Sequence, residues 1–309
     1  MVKFSFFLPA FKATYLKEAI QSIIRQSYDN WELLIVNDGS SENIASIVNY
    51  FMPNSKITYF KNENNLGETD LVGFWNNCLP RCTGEYLIFA SDDDIYEPEY
   101  LHEMLCMSDN YPDCNLLHCR TRFIDKQGHV IQLTQPALYH ESQIDFIYQT
   151  LIWGRKLTLQ ECCFKKKTLE DAGGVVNFPI AWYSDWATAF VMAHNGVAYS
   201  EKVLFNLRMS ENNLSGQDKK CRQKTDAMKQ FVNWLKGFLP TLVCESKDDM
   251  FMKERMLSLY KSIIYSHYHN YLPHLGLKAF FQEMNNIRTH HIFNFKTRVS
   301  MIIRHLVSL

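Results

Sequence analysis

The sequence of 309 residues lacks the signatures of several common enzyme classes. No Gly-x-Gly-x-x-Gly follows a predicted strand, which argues against a dinucleotide-dependent dehydrogenase, and the absence of Gly-x-x-x-x-Gly-Lys-Ser/Thr excludes a P-loop enzyme. The Gly-rich, Arg-containing loop expected of sugar-phosphate nucleotidyltransferases is missing after the first predicted strand. Glycine (12) and proline (9) are few, and no repeat or low-complexity segment is present. We therefore expect a globular protein with a sizeable core.

Cysteine pairs with redox or metal-binding spacing are also absent, although the chain contains nine cysteines. None lies in a Cys-x-x-Cys motif and no Cys/His set has zinc-finger spacing, so we expect reduced, mostly buried thiols. No uncharged apolar run reaches the ~18 residues of a membrane-spanning helix. The apolar run Phe4–Ala10 is too short for a signal peptide and is typical of a strand. These absences predict a cytoplasmic protein.

Charge is unevenly distributed along the chain, although the net charge is only -1. Residues 1–218 contain 17 Lys and Arg against 27 Asp and Glu, whereas residues 219–309 contain 15 against 6. The basic region predicts contact with something anionic, either a membrane surface or a lipid-pyrophosphate acceptor. The alternative is a helical bundle that packs on the core or on a second subunit, which leaves a homodimer open. The acidic first part argues against nucleic acid as a partner.

Strand and helix patterns alternate over the first hundred residues. Four apolar runs predict strands: Lys3–Leu8, Glu32–Val36, Ile57–Phe60 and Tyr86–Ala90. Residues with helical spacing lie between them, so we expect βαβ crossovers and an α/β fold with a mostly parallel central sheet flanked by helices. From about residue 219 the pattern becomes helical. We predict a first domain over residues 1–218 and a basic, mainly helical C-terminal extension over residues 219–309.

Three consecutive carboxylates, Asp92, Asp93 and Asp94, follow the predicted strand Tyr86–Ala90. Ligands of open parallel sheets bind at the carboxyl ends of the strands. Carboxylates this close repel one another unless a cation shares them, and their hard oxygens suit Mg²⁺ or Mn²⁺ holding a phosphorylated substrate. A second polar loop, Asn37–Ser41, ends another strand, and we expect a nucleotide at this edge of the sheet. The alternative for the triplet is a solvated acidic turn that caps the next helix.

Five segments together resemble the inverting family 2 glycosyltransferases with the GT-A fold: Phe7–Phe11, Ser22–Tyr28, Leu34–Ser41, Asn65–Gly67 and Gly84–Asp94. They occur in the family's order and spacing over roughly residues 4–100, and later matches reach about residue 215. The resemblance implies a GT-A-type fold, a nucleoside-diphosphate sugar donor, a divalent metal ion (Mn²⁺ or Mg²⁺) and transfer of one sugar to an acceptor hydroxyl. A metal would neutralise the charge that develops on the diphosphate leaving group.

The resemblance implies roles for three carboxylates. Asp38, the acid before Gly-Ser, corresponds to the residue that hydrogen-bonds the nucleotide base. Asp93 corresponds to the metal ligand, and Asp92 to the residue near the ribose and pyrophosphate. The alternative for Asp38 is a helix N-cap.

Five further positions are implied to bind the donor. Backbone groups of Pro9, Ala10 and Phe11 would reach the nucleobase, and Asn65 would touch the donor, although an Asn in this setting is also ordinary turn chemistry. Arg208 corresponds to an arginine that faces the donor pyrophosphate, as suits a guanidinium. The alternative for Arg208 is a solvated strand end.

The general base is implied by a later segment. Trp182–Trp186 resembles the part of the family that carries a Glu-Asp pair, with Ser184 in place of the first acid. Asp185 is therefore the expected base that accepts the acceptor's proton. A Gly-Gly pair about eleven residues upstream supports this assignment. The alternative for Asp185 is an N-cap of the helix that follows.

Together these features predict a metal-assisted transferase that moves a hexose, most often from UDP, onto a glycan or lipid-linked saccharide. Surface polysaccharide or oligosaccharide assembly at the inner face of the membrane fits the basic region. A non-catalytic nucleotide-sugar or glycan-binding subunit is the alternative. Four departures from the family pattern motivate it: Asn37, Ser91, Ser184 and Ser210.

Overall fold

The computed structural model of the protein describes residues 1–209, 220–267, 280–285, 299 and 302–303. Ser210 and the predicted boundary between residues 218 and 219 lie outside these residues. The strands are β1 (Phe4–Ala10), β2 (Trp31–Asn37), β3 (Ile57–Lys61), β4 (Tyr86–Phe89), β5 (Ile95–Tyr96), β6 (Leu116–Ile124), β7 (Val130–Leu133), β8 (His140–Glu141), β9 (Cys162–Lys165) and β10 (Val197–Arg208). The helices are α1 (Leu16–Ile24), α2 (Ile44–Asn49), α3 (Gly67–Cys78), α4 (Tyr100–Asn110), α5 (Gln143–Leu151), α6 (Lys166–Asp171), α7 (Ser184–Met192), α8 (Cys221–Phe238) and α9 (Lys247–Ser266).

The strands form a single sheet in the order β3-β2-β1-β4-β9-β6-β10-β5. The four predicted strands, β1 to β4, pair in parallel, as βαβ crossovers require. β9 then pairs antiparallel with both β4 and β6, while β6 and β10 are parallel to each other. β7 and β8 add short antiparallel pairs at β6 and β10. The predicted α/β class is confirmed, and the antiparallel β9 joins the two parallel parts.

Alternate residues of the central strands enter two apolar layers, one on each face of the sheet. Phe7 of β1 and Phe89 of β4 belong to one layer, whereas Phe6 and Ile88 belong to the other. Because both faces are covered, β1 is apolar at nearly every position rather than at every second one. The carboxyl ends of β1, β2 and β4 therefore emerge from a rigid core at a common edge.

The helices α8 and α9 share one of these layers. Phe231 of α8 and Tyr260 and Ile264 of α9 are buried in the same cluster as Phe146 of α5 and Phe190 of α7. Packing on the core, one of the two alternatives for the basic region, thus accounts for the described part of these helices. None of the helices in the described ranges combines the length and the low polarity that a membrane span needs.

Candidate functional site

A cavity of about 680 Å³ opens at the carboxyl ends of β1, β2 and β4. Its wall contains seven of the nine residues that the sequence assigns to donor, metal or catalysis: Pro9, Phe11, Asp38, Asn65, Asp92, Asp93 and Asp185. The other two, Ala10 and Arg208, are buried elsewhere. Residues from 9 to 185 thus converge at the edge of the sheet where ligands of α/β proteins bind.

Asp38 joins the β2 loop to the start of α3. Its Oδ1 accepts hydrogen bonds from Asn62 Nδ2 (2.8 Å) and the Leu66 N–H (3.0 Å), and its Oδ2 accepts one from the Gly67 N–H (2.7 Å). The helix after the β2 loop, α2, is capped instead by Asn43. Asp38 is therefore not the N-cap of that helix. Its side chain is held rigidly, and a carboxylate with about four acceptor sites keeps capacity for a ligand.

A glycine makes this arrangement possible. Gly39 has φ +66°, and a Cβ at this position would lie 2.4 Å from the Asn64 carbonyl carbon. Only glycine combines this left-handed backbone with so close an approach. The β2 loop consequently packs directly on the turn that carries Asn65.

The acidic turn after β4 is tied to two other parts of the chain. Asp92 Oδ2 accepts hydrogen bonds from the backbone N–H groups of Phe11 (2.8 Å) and Lys12 (2.7 Å). Asp94 Oδ1 accepts one from the Arg208 N–H (2.8 Å), and its Oδ2 accepts one from the Ser91 hydroxyl. All three aspartates line the cavity, but Asp92 and Asp94 are buried whereas Asp93 is half-buried.

The carboxylates of this turn destabilise one another's charge. Burial and the neighbouring charge of Asp93 raise the pKa of Asp92 to about 6 and that of Asp94 to about 8. Burial also raises the pKa of Asp93 itself. Such crowding is relieved by a shared cation or by protonation. Ser91, the departure from the usual first aspartate, supplies a hydroxyl to this turn rather than a further charge.

Arg208 is not among the residues that line the cavity, and its expected contact with the donor pyrophosphate stays a prediction. Its side chain is only 2% exposed, which rules out a solvated strand end. The guanidinium donates to the carbonyl oxygens of Asp93 (3.0 Å) and Lys126 (3.2 Å) and to Glu18 Oε2 (2.7 Å). It also lies 4.2 Å from the centre of the Tyr15 ring. The turn between β6 and β7 and the helix α1 enclose it, which the linear sequence does not reveal.

Ala10 is fully buried, so its side chain cannot reach a ligand. Its carbonyl oxygen accepts a hydrogen bond from the Asp38 N–H (3.1 Å). The residue therefore joins β1 to β2 beneath the cavity. Its neighbours Pro9 and Phe11 line the wall.

Asp185 reaches the cavity from the first turn of α7. Its Oδ1 accepts a hydrogen bond from the Trp186 N–H (2.8 Å), and burial raises its pKa to about 7. The helix begins one residue earlier, at Ser184, so Asp185 is not its N-cap. Ser184 instead accepts a hydrogen bond at Oγ from the Phe178 N–H (3.2 Å). A carboxylate with a pKa near neutrality is suited to accept a proton.

Several cavity residues were not singled out by the sequence. Lys12 and Lys220 bring positive charge to a wall that is otherwise rich in carboxylates, and Trp75 and Trp182 form part of its apolar surface. Lys12 directly follows Phe11, so its place near the predicted donor site could have been inferred from the sequence. Lys220 precedes α8, in the part of the chain for which the sequence offered no motif.

Comparison with known proteins agrees with this architecture. The profile of the family described as glycosyl transferase family 2 matches residues 5–165. An uncharacterized glycosyltransferase of Rickettsia typhi is 29% identical over 174 residues, which cover 54% of this chain and 53% of that protein. One of Methanocaldococcus jannaschii is 30% identical over 132 residues, 42% of this chain and 44% of that protein. The matched region thus spans about half the length of these curated relatives, or less.

Two solved structures resemble the whole chain. Residues 1–349 of Staphylococcus aureus TarS, in complex with UDP-GlcNAc, superpose with a TM-score of 0.71 at 16% identity, covering 99% of this chain and 89% of that one. A mannosyltransferase of Pyrobaculum calidifontis, in complex with GDP-Man and Mn²⁺, gives 0.55 at 14% identity, covering 99% and 86%. At such identities the likeness establishes the fold, and it confirms the fold expected from the sequence.

Proposed function

This chain belongs to glycosyl transferase family 2, as its motifs indicated, and from that premise we propose that it transfers a sugar from a nucleoside-diphosphate donor to an acceptor hydroxyl. One observation carries the proposal. A single cavity brings together Asp38, Asp93 and Asp185, which come from three separate parts of the sequence. In this proposal Asp38 contacts the nucleotide, Asp93 binds the cation and Asp185 acts as the base.

The nucleotide end is formed by Asp38 and its surroundings. Asp38 and Asn65 lie beside Pro9 and Phe11, and the bonds to α3 fix the Asp38 carboxylate in place. A fixed acceptor can distinguish a base that offers N–H donors, since a site with a buried polar group rejects a ligand that leaves it unpaired. UDP is the nucleotide we propose first, because the TarS structure holds UDP-GlcNAc.

The base in this proposal is Asp185. An acceptor hydroxyl near its free oxygen would transfer its proton as the new glycosidic bond forms, and attack from the face opposite the diphosphate would invert the anomeric carbon. The raised pKa of about 7 makes the carboxylate a stronger base than an ordinary aspartate. The apolar surface of Trp75 and Trp182 would limit the access of water to the reacting atoms.

A divalent cation could bind at the acidic turn only with additional ligands from the substrate. Within the described ranges, no three His, Cys, Asp or Glu side chains are arranged to hold a metal ion by themselves. Mg²⁺ and Mn²⁺, however, are commonly held by one or two carboxylates together with substrate phosphates. Asp93 would be the main protein ligand, and the ion would supply charge neutralisation for the leaving diphosphate. Lys12 and Lys220 would add positive charge on the same wall.

We further propose that residues 1–218 form the catalytic domain and that the acceptor is a glycan or lipid-linked saccharide. The excess of Lys and Arg over residues 219–309 supports contact with an anionic membrane surface or with a lipid pyrophosphate. We propose that the protein acts in surface polysaccharide or oligosaccharide assembly at the inner face of a membrane.

A thermal-shift panel tests the donor site. UDP, GDP, CDP and dTDP would each be added with and without Mn²⁺, since a ligand that binds only the folded state stabilises it by about 2.7 kcal/mol at a concentration 100 times its Kd. We expect one nucleotide to raise the Tm in the presence of Mn²⁺, with the shift lost in Asp93→Asn. Asp109 is an exposed residue of α4, so Asp109→Asn is the matched control and should keep the nucleotide-dependent rise in Tm.

The nucleotide panel, combined with an assay for nucleoside-diphosphate release, distinguishes an enzyme from a non-catalytic binding subunit. Asp185→Asn should keep the nucleotide shift but lose the release of nucleoside diphosphate from sugar donors in the presence of glycan acceptors. Unchanged release would remove Asp185 as the base. A nucleotide shift without release by the wild type would favour the non-catalytic binding subunit, and no shift with any nucleotide would overturn the donor site.

A further inference from the structure

The turn that carries Asp185 to the cavity has an unusual backbone. Ile180, Ala181 and Tyr183 have φ values of 52°, 57° and 68°, and within the described part of the chain they are the only non-glycine residues with positive φ. Left-handed backbone is unfavourable for residues with a Cβ, most of all for a β-branched residue such as Ile180. Such a conformation persists only when surrounding structure holds it.

This strained turn forms part of the cavity wall. Ile180, Ala181 and Trp182 line the cavity next to Asp185, and α7 begins directly after Tyr183. The backbone of the turn therefore sets where the Asp185 carboxylate and the Trp182 ring point. A different backbone conformation would move both.

Two contacts of the Tyr183 side chain come from the C-terminal helices, in addition to those with the neighbouring rings of Trp182 and Trp186. The Tyr183 ring stacks on Phe231 of α8, with 4.6 Å between the ring centroids and an interplanar angle of 8°. Its hydroxyl lies 2.5 Å from Nδ1 of His267, the residue that follows α9, and the two ring planes are within 4° of parallel. Burial lowers the pKa of His267, which favours the neutral imidazole that accepts a hydrogen bond from the tyrosine hydroxyl.

Hydrogen bonds between residues on either side of the turn hold its two ends together. Besides the Phe178–Ser184 bond, the Val176 N–H donates to Thr188 Oγ1 (2.9 Å), and this hydroxyl donates to the Ser184 carbonyl oxygen (2.6 Å). These bonds fix the start of α7. None of these three bonds involves the Tyr183 side chain, which Phe231 and His267 contact from the C-terminal helices.

We infer that Tyr183, Phe231 and His267 are positioning residues for Asp185, through which α8 and α9 hold the strained 180–183 turn in the conformation that presents the carboxylate to the cavity. The inference rests on the proposed role of Asp185 as the base. It gives the C-terminal helices a part in the reaction that does not depend on a membrane.

Hydrogen exchange tests the positioning without any substrate. Tyr183→Phe removes the hydroxyl but keeps the stacked ring, and His267→Ala removes its partner. In both variants we expect amides of residues 178–187 to exchange about tenfold faster, while the rest of the sheet is unchanged. His267→Gln, whose amide oxygen can accept the same hydrogen bond, should restore part of the protection. Tyr260→Phe, which removes a hydroxyl from the same core on α9, is the matched control and should leave residues 178–187 unaffected.

Kinetics with the donor identified by the nucleotide panel gives the second readout. We expect Tyr183→Phe and His267→Ala to lower kcat about 10- to 100-fold, because displacement of a reacting group by about 1 Å can cost that much. The affinity for the nucleotide should change little, since Asp38 and Asp93 are untouched. Unchanged exchange at residues 178–187 in both variants would overturn the positioning role whatever the activity. If exchange is faster in Tyr183→Phe and His267→Ala but Asp185→Asn transfers sugar at the full rate, the two residues still hold the turn. The role of Asp185 as the base would then be wrong.

Discussion

The guanidinium Nε of Arg208 donates a 3.0 Å hydrogen bond to the main-chain carbonyl oxygen of Asp93. The same side chain donates to two carbonyl oxygens of the β6–β7 turn, and the Arg208 N–H bonds the Asp94 carboxylate. Arg208 thus stabilises the backbone of the acidic turn from outside the cavity wall, while the side chain of Asp93 lines the cavity.

Replacement of Arg208 by lysine should destabilise the protein and loosen the acidic turn. A lysine ammonium cannot reproduce the planar set of donors, so buried carbonyl oxygens lose their partners at a cost of about 2–3 kcal/mol. Thermal unfolding should show this loss, together with a weaker Mn²⁺-dependent nucleotide shift. Glu18→Gln is the matched control, because Glu18 is half exposed and its loss should cost less than about 1 kcal/mol. Equal losses in both variants would contradict the role assigned to the carbonyl contacts.

The rate of sugar transfer should depend on the ionisation of Asp185. Because burial raises the pKa of Asp185 to about 7, the proposed base is protonated and inactive below that pH. We expect kcat/KM to fall about tenfold per pH unit below the pKa and to level off above it. A pH–rate profile measures this, and the residual activity of Asp185→Asn should lack the acidic limb. A wild-type limb centred near the ordinary aspartate value would show that another group is titrating.

Asp185→Asn should also make the folded protein more stable at pH 8. The folded carboxyl keeps its proton up to about pH 7, whereas the unfolded one loses it near 3.8, so ionisation costs the folded state free energy as the pH rises through this interval. Removing the charge should therefore gain about 1–3 kcal/mol at pH 8 and almost nothing at pH 4. Urea unfolding at the two pH values compares them. A variant less stable than the wild type at pH 8 would contradict the desolvated carboxylate.

Glu32 should contribute to stability in the opposite direction. Burial alone would raise its pKa, but hydrogen bonds from Lys3, Ser5 and Thr83 overcome this effect and lower the pKa to about 2. Its contribution is present above the ordinary value of 4.5 and is lost as the pH falls toward 2. Because the site is partly solvated, we expect Glu32→Gln to cost only about 1–2 kcal/mol at pH 7. Unfolding measured from pH 7 to 3 should show the two proteins converging, and a constant gap would contradict this account.

Gly39→Ala should weaken both stability and nucleotide binding. The new Cβ would be strained by the positive φ and would overlap the backbone of Asn64, so we expect a loss of about 2–4 kcal/mol. Gly128→Ala is the control, because its φ is +88° but no atom lies within 4 Å, which leaves a backbone cost of about 1 kcal/mol. Thermal unfolding with and without UDP and Mn²⁺ tests both. A Gly39 variant no worse than the Gly128 variant would remove the close approach as the reason for this glycine.

The sequence predicted those parts of the site that depend on strand ends. Asp38 and Asp93 each follow an apolar run, and because parallel strands place their carboxyl ends together, their convergence could be foreseen. Arg208 also ends a strand, but the β6–β7 turn and Glu18 enclose it, and these contacts join residues that are far apart in the sequence. The turn at Ile180–Tyr183 gave no signal, because left-handed backbone is expected at glycine and here tertiary packing holds it without one.

The bond between Asp94 and Arg208 joins residues 114 positions apart. Closing so long a loop costs conformational entropy before any contact repays it, so pairings of this kind form late in folding. The parallel strands β1 to β4 need only local crossovers and can assemble first. The acidic turn consequently receives its final shape only when β10, the last strand within the described part of the chain, joins β6. On a ribosome, the nascent chain would carry Asp92, Asp93 and Asp94 before the strand that completes their turn had been made.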